Sequence, residues 1–107
     1  MAREYQQIKK KEFVLPFTVY MQTLWCIRDY SRLKQVDDLQ ARLKTEAIDD
    51  AFDLIPISYR KGLRDNIIFH SQYGEFAHEN TWKQWKQRLV YYAANNLGFN
   101  VGGEDDE

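Results

Sequence analysis

Residues 79–98, ENTWKQWKQRLVYYAANNLG, hold the side chains best spaced for chemistry. At 3.6 residues per turn, Lys83, Gln84, Gln87, Arg88, Tyr91 and Asn95 gather on one side of a helix. Two cations, three amides and a phenol suit non-covalent recognition. Amides pair with adenine edges, arginine with guanine, and lysine or arginine with phosphate, while tyrosine and arginine also anchor protein interfaces.

Covalent chemistry has no comparable set. There is no glycine-rich phosphate loop, no paired-cysteine metal motif and no nucleophile in a recognised setting, so no catalytic residue, cofactor or metal is expected. His70 and His78 are too few ligands for a closed zinc site. Cys26 sits among apolar neighbours and reads as an inert buried thiol. The carboxylates of 37–53 are not gathered into an apolar cleft, and their plainest role is a solvated face.

The helix presenting this surface must bury its other side. Trp82, Trp85, Leu89, Tyr92, Ala93, Asn96 and Leu97 form that inward face, with Lys86 on its flank and its ammonium in water. Asn80 or Thr81 is the expected N-cap and Gly98 the left-handed stop. Its partners come from upstream. Pro16 opens a first helix with Phe17, Tyr20, Met21, Leu24, Trp25 and Ile27 on one face, and Arg28 there calls for a carboxylate. The apolar phase shifts near Gln35 to Asp38, where Val36, Leu39, Leu43, Ala47 and Leu54 begin a new stripe. Residues 28–55 are therefore two helices with Asp37 or Asp38 as a cap, or one long helix. Ile48, Phe52 and Ile55 give this stretch a second apolar side. Pro56 stops that stretch or opens the next helix, which runs to about Phe69 with Tyr59, Leu63 and Ile67 on one side and Arg60, Lys61 and Arg64 on the other.

No segment alternates with period two, so the fold expected is all-α: one small bundle of about four helices. Its 107 residues, 44% hydrophobic with two prolines and five glycines, support a single domain over 16–98. Residues 1–15, with Lys9, Lys10 and Lys11, read as a flexible basic arm, and 99–107 as a disordered acidic tail on which Phe99 and Val101 can still dock. One cysteine and no apolar run of signal or membrane length point to the cytoplasm and no membrane partner. Without Glu104 to Glu107, fifteen cations face twelve acids, so the body permits an anionic partner without demanding one.

A basic helix, a connector and a polar-faced terminal helix are the parts of a helix-turn-helix. The connector 70–78 is nine residues long, however, which makes the C-terminal half a degenerate version. The segments LPFTVYMQTLWCIRDYSRL (15–33), IPISYRKGLRDNIIF (55–69) and NTWKQWKQRLVYYAANNLG (80–98) resemble the small phage and prophage late-gene regulators of the RinA and ArpU type, which are similar to the fourth region of sigma factors. The resemblance implies a DNA-binding transcriptional regulator of double-stranded DNA, resident in the host cytoplasm if phage-encoded. It also implies that Thr81, Lys83, Gln84, Gln87 and Arg88 face the groove while Arg60, Lys61 and Arg64 lie near phosphates. The alternative is a non-catalytic interaction module. Such a module would dock on a host or phage protein through a surface including Tyr91, or self-associate through the aromatic first helix. On the regulator expectation, duplex binding weakens with salt and with Lys83→Ala or Arg88→Ala, and deleting 104–107 strengthens it; a gel shift at low salt reads all three.

Overall fold

The computed structural model describes Gln7 and residues 13–100, so the lysine run 9–11 and the acidic stretch 104–107 lie outside the described residues. Within them the chain forms five α-helices and no strand: α1 (Phe17–Arg28), α2 (Tyr30–Gln35), α3 (Leu39–Asp53), α4 (Ile57–Phe69) and α5 (Glu79–Leu97).

The expected first helix is split at Asp29. Its N–H is shared between the carbonyls of Trp25 (3.1 Å) and Cys26 (3.2 Å), a tightened turn that ends α1. The phase shift near Gln35 to Asp38 is a true break: Val36 and Asp38 are extended, and Asp38 caps α3 by accepting from the Ala41 N–H at 3.3 Å. Prolines open two helices, Pro16 before α1 and Pro56 before α4, each at φ −54° as the ring requires. His70 closes α4 in the left-handed region at φ 60°, and Gly98 closes α5 at φ 81°. The N-cap of α5 is His78 rather than Asn80 or Thr81: its Nδ1 accepts from the Asn80 N–H at 3.2 Å, because the chain enters the helix two residues sooner.

Tyr20, Leu24 and Ile27 from α1, Ile48, Ala51 and Phe52 from α3, Leu63 and Ile67 from α4, and Trp82, Leu89, Val90, Ala93 and Ala94 from α5 make one core. The most extensive packing is between α3 and α5. Buried alanines on both, Ala47 and Ala51 against Ala93 and Ala94, suit a close approach of the two backbones. Tyr30 Oη donates to Asp49 Oδ1 at 2.7 Å and ties α2 to α3. Arg28 donates from Nε to the Ile67 carbonyl at 2.8 Å, using an orphan acceptor at the end of α4, and its guanidinium lies over Trp25 at 4.8 Å. Phe99 docks on the core, and its N–H reaches the Ala94 carbonyl at 2.9 Å.

The α4–α5 connector is held by Trp82. Only 1% exposed, its indole stacks on Tyr73 (5.4 Å, 6°), meets Tyr59 and Phe76 edge-on, and donates Nε1–H to the Gly74 carbonyl at 2.9 Å. Gly62 on α4 makes room for that ring, since a Cβ there would sit 2.5 Å from Cη2. Gly62→Ala is therefore expected to lower stability by about 1–2 kcal/mol despite alanine's better helix propensity. The loss should disappear in a Trp82→Leu background, as a urea double-mutant cycle would read.

Candidate interaction surface

The inward face of α5 is rotated by roughly 60° from its expected position. Val90 and Ala94 are fully buried, whereas Trp85 and Tyr92 are half-buried and Asn96 is exposed. The rotation follows from α5 being wrapped by α1, α3 and α4 together, so small residues facing α3 outrank the amphipathic aromatics, which cover the edges. Lys86 is the clearest correction. It is 9% exposed, with Nζ donating to Asn66 Oδ1 at 3.2 Å instead of reaching open water.

This rotation divides the expected contact set. Lys83 and Gln84 are exposed, Lys83 within 3.2 Å of Glu79, and Thr81 is half-buried. Gln87 is 4% exposed, and its Nε2 donates to the Phe13 carbonyl at 2.9 Å. Arg88 and Tyr91 are half-buried under the same residue: the Arg88 guanidinium lies 4.6 Å from the Phe13 ring and 5.1 Å from Trp85, and Tyr91 meets Phe13 edge-on at 5.3 Å. Phe13 does this at φ 65°, a backbone region that a bulky L-residue adopts only when its surroundings hold it there. No local pattern announced the contact, because Phe13 and Gln87 are 74 residues apart.

The α4 cations also have neighbours within the chain, although Lys61 and Arg64 stay exposed. Arg60 donates to the Ile55 carbonyl at 2.8 Å and the Asp53 carbonyl at 3.2 Å, capping the end of α3. Lys61 pairs with Asp65 at 2.7 Å, one turn on. Arg64 lies over Phe52 at 5.0 Å and Tyr30 at 5.8 Å. Arg60, Lys61 and Arg64 thus form struts and a local pair on α4, while Lys83 and Gln84 stand exposed on α5.

A different surface is open. Of the stripe Val36, Leu39, Leu43, Ala47 and Leu54 only Ala47 is buried: Leu39, Leu43 and Leu54 are 60%, 49% and 59% exposed, and Val36 is exposed beside them. The core side of α3 is Ala41, Thr45, Ile48 and Phe52. At 100° per residue the three leucines share an arc of about 100° with Glu46, Asp50 and Asp53, and that interleaving of acids was the legible sign that this face meets water.

Among the described residues no group of three or more His, Cys, Asp or Glu is placed to hold a metal, and no helix is long and apolar enough to cross a membrane. Cys26 is half-buried, and burial pushes its thiol pKa up, which keeps it protonated. A cavity of about 530 Å³ beside the connector is lined by Asn66, Gln72, Tyr73, Glu75, Glu79 and Trp82. The fold is that of a small all-helical bundle. The chain matches no family model, no curated protein and no solved structure.

Two outcomes test these contacts. Phe13→Ala is expected to cost about 1–2 kcal/mol by urea denaturation, through the lost ring contacts. Phe13→Gly should be more stable than Phe13→Ala by about 1 kcal/mol, reversing the usual order because glycine tolerates φ 65°. Burial, and then Asp49, pushes Tyr30 up to about 12; burial, and then Glu79, does the same to Tyr73. An unfolded chain releases these protons near pH 10, so stability is complete below pH 10 and falls as pH rises toward 12. Tyr30→Phe and Tyr73→Phe should each flatten that alkaline decline in stability curves.

Proposed function

We propose that this chain is a non-catalytic protein-interaction module, such as a phage accessory factor docking on a host or phage protein, and that it docks through the outer face of α3. The observation that carries it is the exposure of Leu39, Leu43 and Leu54 on one side of a helix whose other side is fully built into the core. Exposed leucines at helical spacing, rimmed by polar groups, are the usual form of a partner-binding face. Three single leucines scattered over the molecule would carry no such meaning.

The competing regulator reading needs α5 to enter a DNA groove. Gln87 and Arg88 are held by Phe13, which leaves Lys83, paired only with exposed Glu79, and Gln84 as the members of the set open to solvent. Arg60 is spent on the end of α3. A protein partner is therefore favoured over a nucleic acid.

A photo-crosslinking residue at position 43 should yield one discrete protein adduct in the cells that produce the chain, lost on Leu39→Asp, while the same residue at position 84 yields none. Adducts from 84 but not 43 would sink the proposal. So would a low-salt duplex DNA shift that Lys83→Ala and Arg88→Ala abolish, since it would place the working surface on α5.

A further inference from the structure

Resting on the interaction reading above, we infer that the α3 face takes a basic amphipathic helix of its partner, its apolar side on Leu39, Leu43 and Leu54 and its cations on Glu46, Asp50 and Asp53. The leucines and carboxylates occupy the same arc rather than opposite sides, so any occupant covering the leucines brings its flanks within reach of the acids. From Leu39 to Leu54 the face runs about 22 Å, roughly four helical turns. Leu39 and Leu43, one turn apart, begin a ridge of the kind that a partner helix packs beside, and Leu54 stands about three turns further on at the end of α3.

The charges select the partner's sign. Asp29, Asp37, Asp65 and Glu79 each stand within 4 Å of a cation of this chain: Arg32, Arg42, Lys61 and Lys83. Glu46, Asp50 and Asp53 have no side-chain partner among the described residues. Three free carboxylates among exposed leucines repel an anionic membrane surface and a phosphate backbone alike. They also disfavour a second copy seated on the same face, which would meet its own sign: of the cations beside the face among the described residues, Arg42 lies 3.8 Å from Asp37 and Arg60 is bonded to the Ile55 and Asp53 carbonyls. A cationic, apolar helix satisfies both features at once.

The test uses the full chain, methyl-labelled for NMR, and two synthetic helical peptides about 18 residues long with identical leucine spacing, one carrying lysine and the other glutamate at the flanking positions. The lysine peptide is expected to bind about tenfold more tightly than the glutamate peptide and to shift the methyl resonances of Leu39, Leu43 and Leu54. That preference should vanish in the triple variant Glu46→Gln, Asp50→Asn, Asp53→Asn. Leu39→Ser with Leu43→Ser should weaken both peptides while circular dichroism stays unchanged. Equal binding of the two peptides, or shifts centred away from α3, overturns the inference. Crosslinks from position 43 alongside equal peptide binding would leave the interaction reading standing and remove only the basic partner. Loss of both would remove both.

Discussion

The placement of Trp82 is the constraint on which the C-terminal half of this protein depends. Its indole fills the space that Gly62 leaves open on α4, and its N–H fastens Gly74 in the middle of the connector. Tyr59, Tyr73 and Phe76 close around it. One residue therefore ties α4, the connector and α5 into a single body, which is how a nine-residue link without helix holds two helices at a fixed angle. Once Trp82 is set, Lys86 one turn later falls beside Asn66, and Val90 and Ala94 turn toward the core.

That setting also governs the polar groups. Several cations and amides of this chain act on backbone acceptors: Arg28 on Ile67, Arg60 on Ile55 and Asp53, Gln87 on Phe13 and Asn96 on Ala47. The Ile67 and Asp53 carbonyls lie at helix ends, where no intrahelical partner remains, and a long side chain that reaches them satisfies two needs in one bond. Gln7 does the same for an extended segment, bonding both backbone groups of Leu15 at 2.9 Å. The fold thus spends on its own closure several of the groups that a surface for nucleic acid would require. Among the groups left outside, the α3 face is where exposed leucines and uncompensated acids lie together, while Phe17 and Trp25 on α1 and Ile57 and Phe69 on α4 are exposed as well.

The helices, their order and most of their ends were legible along the chain because they depend on local chemistry. Proline fixes φ, Asp38 caps by reaching three residues ahead, Gly98 accepts a left-handed turn, and hydrophobic spacing marks each helix. The inward role of Trp82, Leu89, Leu63 and Ile67 was equally plain, since each lies near the centre of an apolar stripe. Which of two apolar stripes on α3 faces inward was decided otherwise. Leu39, Leu43 and Leu54 are as hydrophobic as Ile48, Phe52 and Ile55, so apolar spacing alone does not choose between the two sides, and only the acids interleaved with the leucines hint at the outcome.

Tertiary packing made that choice, and with it which apolar face of α3 stays in solvent. The buried alanines of α3 allow α5 to approach on their side, which turns Ile48 and Phe52 inward and leaves the leucines in water. The same packing rotated α5 and drew Gln87 beneath Phe13, a contact 74 residues distant that no periodicity encodes. Sequence by itself determined that this is an all-helical protein and marked most of its helix ends, because those are properties of neighbouring residues; the split at Asp29 and the His78 cap were not among them. Only the tertiary structure decided which polar groups are consumed and which apolar face remains open, because burial is a property of what arrives from elsewhere in the chain.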